Sequence, residues 1–208
     1  MTRRIDVVRS WVRSAAEGAG QGLRRVLPWH SFRRFLGDLR QRRVLVPASR
    51  IGAALAHTPG VRSLSVTPRD GRLWVDASYD TEGDLQIALA PVAVRFAPRG
   101  AKEVVFRVEP AQGPPDRRVA ELVSSLAGVL AHDLYRPGLP GGEPPDPSGA
   151  IVEREGSDRL RVDLRTVPAV RSARDSAALS VLLEVFRVRG MRIDAVGLRV
   201  EIELPTMP

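Results

Sequence analysis

The chain has no cysteine in 208 residues. A disulfide framework and thiolate chemistry are both excluded, and a reducing compartment fits that composition. Lysine is almost missing as well: Lys102 is the only one among 32 basic residues, and the rest are arginines, which stay charged under any cellular condition. Aromatic residues make up only 5% of the chain, so the body offers no stacking platform for nucleic acid. No segment approaches the run of about 18 uncharged apolar residues that spans a bilayer. The three histidines, His30, His57 and His132, lie far apart and in different predicted elements. The G-x-S-x-G, H-E-x-x-H and G-x-x-x-x-G-K-[ST] patterns are all missing, which removes the usual sequence marks of nucleophilic, zinc and phosphate-loop enzymes. The expectation is a protein that is not an enzyme and holds no cofactor or metal.

What is present is uneven. The formal net charge of +8 sits wholly in residues 1–43, which carry eleven arginines against three acids; beyond them the chain holds 21 residues of each sign. Within that arm Ile5, Val8, Val12, Ala15 and Ala19 recur at helical spacing, with arginines around them and Trp11 beside the apolar stripe. Gly18, Gly20 and Gly22 weaken this basic amphipathic helix and Pro28 stops it. A second short helix follows with Phe32, Phe35, Leu36 and Leu39 on one face. The candidate membrane-binding residues are Arg3, Arg4, Arg9, Trp11, Arg13, Arg24, Arg25, Trp29, Arg33 and Arg34. Arginines that only solvate a packed helix, nucleic-acid association and docking of a protein partner remain open beside the membrane reading. Asp6, Arg9 and Arg13 interrupt any apolar export core, so the expected location is cytoplasmic, peripheral to the inner membrane.

The body, 44–205, reads as one α+β domain. A short strand at 44–46 leads into a helix over 48–57. Strands near 62–67, 72–79, 85–97 and 102–109 form a four-strand antiparallel meander, with Pro68-Arg69-Asp70-Gly71 as the first hairpin turn. A long helix over 116–135 is marked by Val119, Leu122, Val123, Leu126, Val129 and Leu130, with Asp116 at its N-terminus. Residues 136–149, rich in proline and glycine, form a loop. A strand follows with Leu160, Val162 and Leu164 inward, then a helix over 171–184 and strands near 186–194 and 197–204. Val46-Pro47-Ala48 and Val167-Pro168-Ala169 each precede a helix and a hairpin, a faint internal echo.

The segment Leu85–Pro98 is the least charged of the chain. Large apolar residues fall at 85, 87 and 89, then at 92, 94 and 96, with the phase slipping at Pro91. Proline in a strand and a change of phase predict a bulge. Most of the second face is alanine, so either a helix approaches closely or a cavity opens beside it. The candidate lining of such a groove is Leu85, Ile87, Leu89, Val92, Val94, Phe96, Val104, Phe106 and Val108. Asp80-Thr81-Glu82-Gly83-Asp84 opens like a calcium loop, but Leu85 stands where a glycine is required and Pro91 where a glutamate is required, so a solvated hairpin tip is expected.

This order of elements, with "RVLVPASRIGAALAHTPGVRSLSVTPRDGRLWVDASY" and the closing "GLRVEIELP", resembles small bacterial members of the tubular lipid-binding superfamily, the LmeA-like and BPI-like domains. The resemblance covers about residues 43–205. It implies a curved antiparallel meander sheet wrapped on a long helix, an apolar groove for acyl chains, and no catalytic residues. The arm over 1–43 lies outside that pattern, as does the lack of an export signal. The expected function is non-enzymatic binding of lipid or another hydrophobic ligand at an anionic membrane surface. Docking a protein partner through the N-terminal helices, or nucleic acid through the basic arm, are the alternatives.

Overall fold

The computed structural model describes residues 43–97, 100–109, 116–135, 149–172, 183 and 187–203. The expected helices of the arm, with their arginines and tryptophans, and nearly all of the loop over 136–149 lie outside the described residues.

Strand β1, Arg43–Pro47, buries Val44 and Val46 and exposes Arg43 and Leu45, the period-2 pattern of a strand with one wet face. Pro47, extended at φ −61° and ψ 145°, opens helix α1, Ala48–Leu55, whose Ile51 and Leu55 are buried one turn apart. Strands β2, Val61–Arg69, and β3, Arg72–Tyr79, are joined by Asp70 and Gly71 at φ 53° and 72°. Two successive left-handed residues make the turn whose twist matches a hairpin. Strands β4, Gly83–Phe96, and β5, Lys102–Glu109, continue the meander. Helix α2 spans Arg117–Tyr135. Then come β6, Val152–Arg154, β7, Arg159–Asp163, a 3-10 turn over Leu164–Thr166, helix α3, Pro168–Ser172, and strands β8, Arg187–Ile193, and β9, Gly197–Glu203. Every strand pairing is antiparallel. One sheet has the order β2-β3-β4-β5-β7-β6 and the other β1-β9-β8, so the α+β class holds.

The expected bulge falls at Pro91. Pro91 faces Phe106 and Ala93 faces Val105, which leaves Val92 as the extra residue without a register partner. Proline has no N–H to give to a ladder, so the strand must slip there. Beyond the slip, Val94 faces Val104 and Phe96 faces Lys102.

Helix α2 carries the expected stripe, all of it buried, and more. Every residue from Leu122 to His132 is buried, including Ser124, Ala127, Gly128 and Ala131 on the faces that carry no large side chain. A helix buried all round needs neighbours all round, and α1, α3, β1, β6 and β7 lie against it. Its small residues let those neighbours approach closely. The buried hydroxyls are satisfied: Ser124 Oγ donates to the Ala150 carbonyl at 3.1 Å, and Ser125 and Thr58 share a hydrogen bond at 2.9 Å. Asp116 Oδ1 accepts from the Val119 N–H at 3.1 Å, the expected cap. Leu122, Leu126 and Leu130, each with no exposed surface, contribute about 1.5–3 kcal/mol apiece on removal from water. A single apolar cluster draws on both sheets and on α1, α2 and α3.

Three elements differ from expectation. Leu164 leaves the strand and starts a 3-10 turn; β6 was not foreseen; and the helix expected from 171 begins at Pro168, described as far as Ser172 and again at Leu183. The two echoing halves do share the order strand, proline corner, helix, hairpin. Their hairpins nevertheless join different sheets.

Candidate functional site

The apolar row predicted on β4 and β5 is brought together, except at one point. Ile87, Leu89, Val104, Phe106 and Val108 are buried in the same cluster as the leucines of α2. Leu85, Val94 and Phe96 are half-buried at its margin. Val92, the extra residue of the bulge, is 38% exposed. Strand β8 lies against β4, and its Met191 is another half-buried member of that margin.

The small sheet has a different outer face. Alternation turns Val44, Val46, Val188, Val200 and Ile202 inward, which leaves Arg43, Arg189, Arg192, Arg199, Glu201 and Glu203 toward solvent. The register sets Arg43 opposite Glu201, and Arg192 opposite Arg199. Together with Ile202, these charged residues line a cavity of about 320 Å³. Pairing among Arg189, Arg192 and Arg199 is uneven. Asp194, in the β8–β9 turn, takes Arg199 through both Nε, at 2.8 Å, and Nη2. It also accepts from the N–H groups of Val196 and Gly197 at 3.0 and 3.2 Å. Those backbone donors, with Arg199, hold its carboxyl below the usual aspartate range. Arg192 meets Glu201 only at 3.7 Å. Among the described residues Arg189 has no ion-pair partner. Guanidinium groups in this state suit phosphate and carboxylate oxygens, which they bind through paired N–H donors.

The sequence pattern pointed to the outward Arg199, Glu201 and Glu203 of the last strand. It gave no sign that Arg43, more than 150 positions earlier, would join them, because that needs β1 to pair with β9. His57 and His132, the described histidines, have structural partners. The His57 ring bonds the Ala53 carbonyl at 2.7 Å near the end of α1. His132, buried on α2, accepts at Nδ1 from Arg50, and Arg50 also pairs with Asp133 at 2.7 Å. At the tip after β3, Ser78 donates to Asp84 at 2.7 Å. No group of acids and histidines among the described residues is placed to hold a metal ion, and no described helix is long and apolar enough to cross a membrane.

No family model, curated protein or solved structure matches this chain.

Proposed function

We propose that the protein binds lipid or another hydrophobic ligand at an anionic membrane surface and performs no chemistry on it. One observation carries this reading: β8, which supplies Arg189 and Arg192 to the cationic cavity, lies against β4, the strand with almost no charge. Cations and an apolar margin that includes Val94, Phe96 and Met191 therefore belong to adjoining strands, the arrangement an amphipathic ligand requires. The element order of the tubular lipid-binding resemblance supports it further, as does a long helix buried on every side beneath antiparallel strands. In this reading the large sheet curves around α2 and the basic arm over 1–42 adds to the attraction. Each arginine held near an anionic leaflet contributes about 1 kcal/mol.

The test is co-sedimentation of the full chain with phosphatidylglycerol or phosphatidylcholine vesicles over a salt series, together with native mass spectrometry. Binding to the anionic vesicles that weakens with salt, and a co-purified lipid mass, are expected. Equal indifference to both vesicles together with a ligand-free mass overturns the reading. Tighter binding to DNA than to vesicles at matched salt favours nucleic acid instead.

A further inference from the structure

We infer that the end of the β4–β5 ladder receives a carboxylate-headed acyl ligand, with Lys102 as its cation and Tyr135 as its hydroxyl donor. The inference rests on the lipid-binding reading and names the head group. Lys102 opens β5 and is 1% exposed. Lysine is almost never so buried unless it is paired, since an ammonium loses its hydration there. Yet among the described residues its hydrogen bond goes to a neutral acceptor, the Ala97 carbonyl, and the Phe96 ring lies 5.9 Å from its tip. The carboxylate in electrostatic range, Asp163, is already taken: Arg165 holds it through Nε at 2.9 Å and Nη2 at 2.5 Å, and the Arg165 N–H bonds it at 3.0 Å.

Tyr135, the last residue of α2, has no exposed surface, and among the described residues its hydroxyl has no partner. The Leu164–Thr166 turn touches both α2 and β5, Glu103 lies opposite Asp163, and Tyr135 is in electrostatic range of the same Asp163–Arg165 pair, so both groups share one end of the core. A buried cation whose carboxylate in range is held by an arginine, and a buried hydroxyl without an acceptor among the described residues, are complementary to one carboxylate, whose two oxygens accept several hydrogen bonds. A single ammonium balances a monoanion and leaves the dianion of a phosphate monoester half-neutralised. Arginine, the cation used everywhere else in this chain, cannot shed its proton when the site is empty, whereas lysine can. From Lys102 the half-buried Phe96 and Val94 continue the apolar row along the ladder, which gives an alkyl chain its path.

Because the chain has one lysine, labelling lysine with ¹³C at the ε carbon gives one side-chain signal, from Lys102. Delipidated full-length protein is titrated with palmitate, hexadecanol and phosphatidylglycerol vesicles. The expected result is that palmitate shifts the signal, and that Lys102→Met weakens palmitate by about tenfold or more, as for a lost hydrogen bond to a charged group, while vesicle binding is unchanged. Tyr135→Phe weakens palmitate by a few-fold, roughly the size of a neutral hydrogen bond. No shift with palmitate, or equal shifts with hexadecanol, overturns the inference. So does a Lys102→Met protein that melts lower yet binds palmitate as before, since Lys102 then only fastens the turn at Ala97. Vesicle binding retained without a palmitate response sinks the carboxylate site alone; loss of both sinks the lipid reading as well. The signal of the unmodified protein keeps the test valid should a variant fail to fold.

Discussion

The two sheets use the same residues on their outer faces to opposite ends. On the large sheet most charges satisfy each other, with Arg62 of β2 the exception among the described residues. Arg95 pairs with Glu155 at 2.7 Å and with Glu103 at 3.5 Å, Arg161 with Glu103 and Glu153, Arg107 with Asp158 at 3.4 Å, and Arg72 with Glu109 at 3.0 Å. The Arg95 hydrogen bond holds the Glu155 carboxyl below its ordinary range. On the small sheet Arg187, Arg189, Arg192 and Arg199 stand with Asp194, Glu201 and Glu203; Asp194 takes Arg199, Arg192 meets Glu201 only at 3.7 Å, and Arg189 has no ion-pair partner among the described residues. Exposed ion pairs contribute little to stability, so the difference matters outside the molecule. A paired surface has a weak field, whereas a surplus of fixed cations attracts anions. Composition alone does not separate the two faces; the count of partners does.

The strongest way to break this contrast is at Gly197. A Cβ built there overlaps the Val46 carbonyl oxygen, so Gly197→Ala forces β1 and β9 apart. Such overpacking costs about 1–3 kcal/mol, and a thermal melt should show it, with vesicle binding falling alongside. An unchanged melting temperature contradicts the β1–β9 register.

Arg189→Glu combined with Arg192→Glu should lower partitioning onto phosphatidylglycerol vesicles by about tenfold or more while leaving the melt almost unchanged, because both side chains are exposed. Retained binding removes the small sheet from the proposed membrane face. A smaller, local effect concerns Asp194. Its carboxyl is depressed below 3.8, so its stabilisation is complete above the unfolded value and is lost as pH falls through the lower folded value. Hydrogen-exchange protection factors at Val196 and Gly197 should fall over that acid range, and in Asp194→Asn they should lose that pH dependence. Smallest of all, Arg95→Ala on the self-paired sheet should leave vesicle binding unchanged, and a clear loss there would erase the distinction between the faces.

Much of the framework was legible because local chemistry dictates it. Pro91 cannot donate to a ladder, so the bulge could be read from one residue and a change of phase. Asp70-Gly71 suits a turn that needs two left-handed residues. Leu164 misled because it keeps the alternation of Leu160 and Val162. In the fold the Asp163 carboxylate accepts the Arg165 N–H at 3.0 Å, and the Thr166 hydroxyl donates to the Asp163 carbonyl at 2.7 Å. This local turn competes with the strand and wins. Strand β6 has only three residues and too little pattern to find; its pairing with β7 creates it. Alternation showed which faces of β4 and β5 meet the core. It placed Val92 with the others, although the bulge turns that side chain outward. The lone lysine was visible, but not its burial, since lysine is ordinarily a surface residue.

By itself the sequence determined most of the elements: which longer segments extend, which coil into helices, and which residues of each turn inward, because periodicity and turn chemistry act within a few residues. Only the tertiary structure decided that the first and last described strands share a sheet, that α2 is enclosed on its small-residue faces, and which arginines keep a partner. Those outcomes depend on contacts between distant positions, and no short-range pattern encodes which distant carboxylate reaches which guanidinium.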